Sequence, residues 1–530
     1  DGSFYLEIIS LRQAYFGNSK ANTSENMLDT SKRKSVMFNQ VERIIQRQLT
    51  PQDIRRIHET LDEYKQDPEL VTEAFRQAKE VNNVDVKYVM GFLKTWRDQS
   101  IFSLNDLKIK EGYKVIDAEG KYIIPGAIDA HTHFDLQAGT CRAVDDFYTG
   151  SIAAACGGTT TIIDHMAFGP KGCNLQHQVD EYHKLAAGKS VIDYSFHGVI
   201  QHVNDDIINE MEKIIKEGIP SLKVYMTYDF KLNDAEILQT LKKAKECNGI
   251  IAVHAENHDI INYFREKFLL EGKKSPIYHA YSRPEECEAE AINRMIYLSE
   301  IAEDAPLYIV HLSTKKGLEE IKRARKKGMK NIFVETCPQY LLLTEQEYSK
   351  ENNEGLKFIM SPPLRKGSDI EALWEGINNG DIQVIATDHC PFNFRKEKQF
   401  GKNDFTKCPN GAPGVEERVK IIFSEGVKKG RISINKFVEV VCTNPAKIYG
   451  CYPQKGVLLP GSDADIVVID ANKKSIITHN SLHSVVDYTL YEGREIMGDI
   501  ELVIQRGEVI VKNNKFIGKK GNGKFLKRKV

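Results

Sequence analysis

Apolar runs of strand length alternate with stretches of helical periodicity from residue 123 to about residue 444 of the chain. Eight β/α units spread over about 320 residues are typical of a TIM barrel, a fold that tolerates insertions. The pattern therefore predicts an α/β chain with a (β/α)8 barrel over residues 123–444. The eight predicted strands are Ile123–His131, Thr159–His165, Ile192–Ile200, Ser221–Met226, Gly249–His254, Leu307–His311, Asn331–Thr336 and Gln383–Asp388.

The segments before the predicted barrel have a different pattern. Residues 1–36 are mostly polar, which predicts a flexible linker or tail. Residues 37–101 show helical spacing, and Thr50 is suited to cap a helix that begins with Pro51. Two further helices are predicted, over Glu69–Glu80 and Asp85–Arg97.

Strand and turn patterns return in residues 102–122 and again in residues 445–530. Three apolar stretches near the C-terminus have strand character: Ala464–Asp470, Ile500–Gln505 and Val509–Lys512. Together these two segments predict a small β-sandwich domain beside the barrel, followed by a C-terminal tail.

Composition excludes several classes of partner. The chain has 73 basic and 74 acidic residues and a formal charge of −1, so no global field favours nucleic acid or a membrane surface. Ten cysteines are scattered without a Cys-x-x-Cys pair, which favours reduced thiols in a cytoplasmic protein, although an even count leaves a disulfide set open. No apolar run approaches the ~18 residues of a membrane span.

Several predicted strands end in residues that can bind a metal ion. Active sites of TIM barrels lie at the carboxyl ends of the strands, where these side chains would converge. Positions i and i+2 of a strand face the same way, so two histidines one residue apart can reach one metal ion. The candidate ligands are His131, His133, Lys223, His254, His311 and Asp388.

The chemistry of a binuclear site explains this combination of residue types. Two divalent ions need neutral imidazoles as terminal ligands and an anionic group that bridges them. A lysine amine that adds carbon dioxide becomes a carbamate with two oxygens, so Lys223 could serve as the bridge. Alone, Lys223 is better explained as a salt-bridged or snorkelling lysine. The convergence of five strand ends favours the metal site instead.

Ten strings in the same order carry a resemblance to a known family. From about Tyr113 to Val530 the chain resembles the cyclic amidohydrolases, specifically the D-hydantoinase/dihydropyrimidinase branch. The strings are Pro125-Gly-Ala-Ile-Asp-Ala-His-Thr-His, Gly157-Gly-Thr-Thr-Thr, Ser221-Leu-Lys-Val-Tyr-Met-Thr-Tyr, His254-Ala-Glu-Asn, His311-Leu-Ser, Cys337-Pro-Gln-Tyr-Leu, Ser361-Pro-Pro-Leu-Arg, Thr387-Asp-His-Cys-Pro-Phe, Gly411-Ala-Pro-Gly-Val-Glu and Asn444-Pro-Ala-Lys.

The resemblance implies a metal-dependent hydrolase with two zinc ions, although other divalent metals could serve. His131, His133 and Asp388 would hold one zinc. His254 and His311 would hold the other, and Lys223, as N6-carboxylysine, would bridge the two.

The resemblance also implies roles in catalysis and substrate binding. Asp388 would take a proton from the attacking hydroxide and pass it to the leaving nitrogen. Tyr228 would donate its hydroxyl to the developing oxyanion, or it only lines the pocket wall. Ser361 and Asn410 would fix the imide and ureide edges of the substrate, largely through backbone groups. Substrate choice would depend on loops such as Thr227–Lys231 and Phe392–Asn410.

The implied reaction opens five- or six-membered cyclic ureides, the hydantoins and 5,6-dihydropyrimidines of pyrimidine catabolism, to N-carbamoyl amino acids. Allantoinase is an alternative within the same chemistry. Dihydroorotase is disfavoured because that activity would need an arginine next to the two histidines to bind a carboxylate of the substrate. In this chain Phe134-Asp-Leu follows His133 instead. Scaffold relatives that have lost metal ligands are a further alternative, but all six are present here. The terminal Gly523-Lys-Phe-Leu-Lys-Arg resembles a tail that reaches a neighbouring subunit of a homotetramer.

Residues 37–101 resemble a second family. Leu49-Thr-Pro-Gln-Asp-Ile and the segment Tyr88–Ile101 are similar to the C-terminal domain of the DnaD-type replication-initiation proteins. That resemblance implies DNA binding, and it leaves open a replication-linked DNA-binding protein as the chain's function. The residues concerned would be Lys87, Lys94, Trp96 and Arg97. The alternative is that Trp96 packs in a three-helix core and the charges form a solvated face.

These helices stand where family members have N-terminal strands. The β-sandwich is therefore predicted to be truncated, with an all-α appendage at the N-terminus. Unpaired sheet edges would carry an aggregation risk.

Overall fold

The computed structural model describes residues 23–110, 116–167 and 169–530. The chain separates into a helical unit that ends at Gly120 and a larger unit that begins at Lys121. None of the described helices combines the length and the apolar character that crossing a membrane requires.

Five helices make up the described part of the helical unit. The predicted cap is confirmed: Thr50 Oγ1 accepts a hydrogen bond from the Asp53 amide at 3.2 Å, and the Asp53 carboxylate accepts one from the Thr50 amide at 3.1 Å. This reciprocal pair satisfies two amides that a helix start would leave unbonded. The helices are α1 (Thr23–Ile45), α2 (Pro51–Tyr64), α3 (Pro68–Glu80), α4 (Val86–Asp98) and α5 (Leu104–Lys110).

Helix α1 begins inside the segment predicted to be a linker, so that prediction is wrong for residues 23–36. Met37 and Val41 are buried in the core of the unit, which fixes the apolar face of the helix. Nearer its start, the guanidinium of Arg33 donates to both carboxylate oxygens of Glu69, at 3.0 and 2.6 Å. The polar composition concealed these contacts. Residues 1–22 of the predicted linker lie outside the described residues.

Trp96 packs in the core of the helical unit, where it is 6% exposed. Arg97 bonds to Asp98 at 2.6 Å and lies over the Tyr64 ring. Trp96 is thus unavailable for DNA, and of the four residues proposed for that role only Lys87 and Lys94 are exposed.

The larger unit contains eight parallel strands that neighbour one another in chain order. A parallel bridge between Thr132 and His389 brings the first and last strands together, so the predicted barrel is confirmed. With the strands that flank them in sequence, they are β1 (Tyr122–Pro125), β2 (Ala127–Thr132), β3 (Gln137–Ala138), β4 (Cys141–Arg142), β5 (Thr159–His165), β6 (Asp193–Val199), β7 (Ser221–Tyr225), β8 (Ile250–His254), β9 (Leu307–Ile309), β10 (Ile332–Thr336) and β11 (Val384–Ile385). The barrel consists of β2 and β5 to β11, and β3 and β4 form a separate hairpin.

Helices cover the outside of this barrel. They are α6 (Thr149–Cys156), α7 (Leu175–Ala186), α8 (Asp205–Lys216), α9 (Asp234–Glu246), α10 (His258–Leu270), α11 (Ile277–Tyr281), α12 (Glu285–Ile301), α13 (Lys315–Lys326), α14 (Pro338–Leu342), α15 (Gly367–Asn379), α16 (Arg418–Ile422), α17 (Ile434–Val438) and α18 (Asn444–Ile448). The period of two along a strand sorts its side chains between these helices and the interior. In β8, Ile251 and Val253 belong to the cluster shared with the helices, and Ile250 and Ala252 to a separate inner cluster.

The first predicted strand, Ile123–His131, is in fact two strands of different sheets, β1 and β2. Gly126 lies between them, and its amide donates to the Asp465 carbonyl at 2.8 Å. A Cβ at this position would lie 2.1 Å from Oγ1 of Thr160, so no larger residue fits without a shift. The continuous apolar pattern concealed the break because both strands are buried.

The second sheet is antiparallel, with β1 at one edge followed by β12 (Ile466–Ile476), β13 (Glu495–Gln505), β14 (Glu508–Lys512) and β15 (Lys515–Phe516). Within the described residues it is a single sheet. The strand and turn structure predicted for residues 102–122 is wrong for Leu104–Lys110, which form helix α5, because Leu107 is buried in the core of the helical unit. Val467, Ile500 and Val503 of this sheet belong to the same buried cluster as the helices of the barrel.

The C-terminal tail lies against the barrel of the same chain. The Tyr194 amide donates to the Lys524 carbonyl at 3.0 Å, and the Leu526 amide donates to the Tyr194 carbonyl at 2.7 Å. The buried guanidinium of Arg528 donates to the hydroxyls of Ser195 and Ser221, both at 2.8 Å. The tail thus forms a parallel bridge beside the start of β6 and is anchored to its own chain.

Candidate active site

Three of the six predicted ligands meet at one end of the barrel. Nε2 of His131 lies 3.1 Å from Oδ1 of Asp388, and Nε2 of His133 lies 3.0 Å from the same oxygen. The two Nε2 atoms are 3.2 Å apart. The three ligand atoms thus lie close enough together to hold one metal ion. We call His131, His133 and Asp388 the first ligand group.

Three of the site residues have a left-handed backbone conformation, which sets the direction of their side chains. His311 has φ of 39°, Asp388 of 57° and Tyr228 of 75°. The strands β9 and β11 end before His311 and Asp388, so each is shorter than the sequence predicted. For a residue with a Cβ this conformation costs roughly 1–2 kcal/mol, and such strain concentrates at functional sites.

A buried glutamate orients the first ligand group. Nδ1 of His131 donates to Oε1 of Glu335 at 2.7 Å, which directs Nε2 toward Asp388. Glu335 also accepts hydrogen bonds from the Tyr308 hydroxyl at 2.9 Å and the His311 amide at 3.1 Å. Sequence analysis missed Glu335. The signal that could have found it is an acidic residue in the apolar strand β10. Glutamate is almost never buried unless it is paired, so a glutamate there indicates a buried partner.

The other three candidates, Lys223, His254 and His311, form the second ligand group. The rings of His254 and His311 lie 4.6 Å apart between centroids, and the ring of His311 lies 5.5 Å from that of His131. Lys223 is 1% exposed, and among the described residues no carboxylate forms an ion pair with it. The two groups are therefore adjacent, but the second is not held together by its own contacts.

A second buried glutamate orients His254. Nε2 of His254 donates to Oε2 of Glu256 at 2.7 Å, and Arg283 donates to the same oxygen. This bond leaves Nδ1 of His254 as the nitrogen that can bind a metal. Sequence analysis quoted the string that contains Glu256 without giving the residue a role. Its position two residues after His254, just past the end of the apolar strand β8, was the available signal.

The charges in the first ligand group favour a cation. Burial lowers the pKa of His131, but the carboxylates of Glu335 and Asp388 outweigh it and raise that pKa to about 9. Burial raises the pKa of Asp388, and His131 and His133 outweigh it, so the pKa of Asp388 lies well below its usual range. Asp388 is therefore ionised at neutral pH, as a metal ligand must be.

Burial has the larger effect on the remaining candidates. It lowers the pKa of His133, of His254 and, most strongly, of His311, so these imidazoles are neutral, the form that binds metals. Burial also lowers the pKa of Lys223 to about 8. Nδ1 of His133 and Nδ1 of His311 are buried without a hydrogen-bond partner in the part of the chain that the structure describes. Imidazoles around one carboxylate are a donor set that zinc prefers, and zinc would displace the proton that His131 carries at neutral pH, so the residues fit the implied metal.

His165 lies beneath this site and is fully enclosed by other rings. Its centroid is 4.4 Å from that of His131 and 4.3 Å from that of His197. Neither of its ring nitrogens has a hydrogen-bond partner among the described residues, and burial lowers its pKa well below the usual range. These ring contacts indicate a packing role for His165 beside the ligands.

The predicted substrate residues lie around the same opening. The Tyr228 ring is 5.3 Å from that of His254, and burial raises the pKa of its hydroxyl. Ser361 is 6% exposed, and Asn410 is half-buried. The Gly411 amide donates to the Ile359 carbonyl at 3.1 Å, which brings the segments of Asn410 and Ser361 together. Their roles in binding stay predictions.

Residues 122–507 match the model of the amidohydrolase family. The chain is 51% identical over 425 residues to D-phenylhydantoinase of Escherichia coli (strain K12), a match that covers 80% of this chain and 92% of that protein. The crystal structure of dihydropyrimidinase from Brevibacillus agri aligns with a TM-score of 0.77 at 45% identity, over 78% of this chain and 90% of that one. D-hydantoinase from a Bacillus sp. aligns with a TM-score of 0.77 at 46% identity, with the same coverage.

The chain therefore belongs to the amidohydrolase family. Within that family its relatives are hydantoinases and dihydropyrimidinases, so the resemblance noted in the sequence is confirmed. Residues 38–111 match a separate family described as replication initiation and membrane attachment. This second match covers only the helical unit.

Proposed function

We propose that the chain hydrolyses the cyclic amide bond of hydantoins and 5,6-dihydropyrimidines, which yields N-carbamoyl amino acids. The observation that carries this proposal is the first ligand group, in which two imidazole nitrogens lie 3.0 and 3.1 Å from one Asp388 oxygen at the end of a barrel. A D-phenylhydantoinase that is 51% identical supports the choice of a cyclic amide as substrate.

We assign two zinc ions to the two ligand groups. The first ligand group would hold one ion, and His254 and His311 would hold the other, with carboxylated Lys223 between them. Bound zinc would supply Lewis acidity and lower the pKa of a bound water to near 7. Burial lowers the pKa of Lys223 to about 8 although the carboxylates of Asp388 and Glu335 raise it. A larger share of the amine is therefore neutral, and the neutral amine is the form that adds carbon dioxide.

Asp388 is the proposed acid and base. Its ionised carboxylate would accept the proton of the attacking water and deliver it to the ring nitrogen as the amide bond breaks. A single carboxylate can do both because the proton it accepts in the first step is the one it donates in the second. The hydrogen bonds to His131 and His133 hold it in position.

Tyr228 is the proposed donor to the oxyanion. Because burial raises its pKa, the hydroxyl stays protonated and can donate a hydrogen bond as charge develops on the carbonyl oxygen. Ser361 and Asn410 would hold the ureide edges of the ring. The Ser361 side chain is buried and interacts with the Tyr228 hydroxyl, so the two proposed substrate contacts are neighbours.

We infer a homotetramer and a cytoplasmic location from the sequence. All ten cysteines are free in the structure, in keeping with a reducing compartment. Light scattering of the purified chain would measure the oligomeric state.

The test of the proposed function is ring opening of dihydrouracil, hydantoin and 5-phenylhydantoin by the purified chain. The loss of ultraviolet absorbance by the substrate measures the reaction. We expect activity that disappears after chelation and returns with zinc and bicarbonate together. Hydrolysis of allantoin in the same assay would indicate the alternative, an allantoinase-like activity. A folded, zinc-loaded protein that opens none of the three rings would overturn the proposal.

A further inference from the structure

Lys398 is a fully buried lysine close to the substrate-binding segments. It lies on a short 3-10 turn, Glu397–Gly401, and is 0% exposed. Its Nζ donates to the Ile359 carbonyl at 2.7 Å and to the Pro409 carbonyl at 2.8 Å. The side chain thus connects two segments that are 50 residues apart in sequence.

The surroundings of Lys398 make the burial of its ammonium group unfavourable for the stability of the fold. Burying an ammonium is unfavourable unless the charge is paired and hydrogen-bonded. Among the described residues no carboxylate forms an ion pair with Lys398, and burial lowers its pKa. An apolar side chain would fill the same volume without this cost. The two carbonyl contacts are therefore what the lysine adds.

Both carbonyls adjoin the residues proposed to bind the substrate. Ile359 lies two residues before Ser361, and Pro409 immediately precedes Asn410. The Ile359 carbonyl also accepts the Gly411 amide at 3.1 Å, so the two segments share one acceptor. A shift of the lysine would therefore move both edges of the substrate site together.

We infer that Lys398 is a positioning residue that holds the Ser361 and Asn410 segments in the register that the substrate ring requires. This inference rests on the proposed function, and Lys398 itself does not touch the substrate. Because the two segments carry the groups proposed to hold both edges of the ring, the bonds from Lys398 to both segments can set substrate affinity.

Kinetics of Lys398→Met test this role. We expect KM for dihydrouracil to rise about tenfold and kcat per zinc-loaded site to change less than about threefold, because the variant loses binding shared by ground and transition states. Lys398→Arg keeps two donors and a charge and should restore part of the affinity. Zinc content should stay at the wild-type value. A purely structural role would instead lower the active fraction and leave KM unchanged.

Two exposed lysines outside the substrate segments provide the controls. Lys184 pairs with Glu181 at 2.7 Å, and Lys429 pairs with Glu425 at 2.7 Å. Lys184→Met and Lys429→Met should both retain the wild-type KM. An equal rise in KM in either control would overturn the assignment to Lys398.

Hydrogen exchange provides a readout that does not depend on catalysis. In folded Lys398→Met, amides of residues 356–364 and 405–413 should exchange faster together, whereas Lys429→Met should leave both segments at the wild-type rate. Unchanged exchange in both segments would overturn the inference. If the wild type opened no ring, the proposed function would fail, and exchange would still decide whether Lys398 joins the segments.

Discussion

The two ligand groups of this chain are held in different ways. In the first group, Asp388 contacts both histidines directly, and Glu335 fixes the ring of His131 from behind. In the second group, His254 and His311 meet only by ring packing, and Lys223 has no ion-pair partner among the described residues. The protein alone preorganises the first group, whereas the second group needs the carbamate and the metal to complete it. We therefore expect the first group to bind metal more tightly.

Asp388→Asn is expected to have the largest effect on activity. Asparagine tolerates the left-handed backbone at this position, so the fold should survive. The loss of the proton acceptor and of an anionic ligand should lower kcat about a thousandfold or more. Steady-state kinetics with dihydrouracil and metal analysis would measure this. Activity within tenfold of the wild type would show that Asp388 is not the acid and base.

Lys223→Gln tests the dependence of the second group on the carbamate. We expect zinc to fall from two ions per chain toward one, and kcat to fall about a hundredfold, because one Lewis acid is lost. Metal analysis after dialysis gives the stoichiometry. The exposed Lys216 provides the control, since Lys216→Gln should keep both ions. If Lys223→Gln still bound two ions tightly, the carbamate on Lys223 would not be needed to hold the second ion.

The two buried glutamates allow each group to be weakened separately. Loss of a carboxylate behind a metal-binding histidine typically costs tenfold to a hundredfold in metal affinity. Glu335→Gln should weaken the first ion and Glu256→Gln the second, as measured by competition with a chelator. If both variants released the same ion first, the two groups would not be separate.

The lowered pKa of Glu256 predicts that the free energy of unfolding depends on pH. Of the predicted effects this is the smallest at neutral pH, where Glu256 stays ionised. The bonds from Arg283 and His254 outweigh burial and lower the pKa of Glu256 from 4.5 to about 2. The folded state therefore binds fewer protons than the unfolded state between these values. The stabilisation is present above pH 4.5 and is lost as pH falls toward 2.

The full shift corresponds to about 3 kcal/mol at most. Urea unfolding of metal-free protein at pH 5 and pH 3 would measure the loss. Glu256→Gln should be less stable at pH 5 and should show a smaller change with pH. An equal pH dependence in the variant would assign the acid sensitivity to other groups.

The sequence predicts the barrel well because period-two burial and the ends of strands are local features. It also predicts which side chains meet, since parallel strands bring their carboxyl ends to one rim. The break at Gly126 could not be predicted, because the residues on both sides are apolar and extended. The bond from His131 to Glu335 joins residues 204 positions apart, so it depends on strand order rather than on local pattern.

The helix that begins at Thr23 was missed for a related reason. Its polar composition suggested a linker, and only the pairing of Arg33 with Glu69 on another helix shows the face that packs. The docking of the tail on its own barrel likewise depends on Arg528 reaching two serines on neighbouring strands. Such contacts between distant segments leave no periodic signal in the chain.

The left-handed backbone at Tyr228, His311 and Asp388 has a consequence for laboratory evolution. Glycine would relieve the strain at each of these positions, by roughly 1–2 kcal/mol, and would remove a functional side chain. A library selected for thermal tolerance alone would thus be drawn toward sequences that fold better and no longer catalyse. Selection schemes for this scaffold should therefore couple survival to turnover.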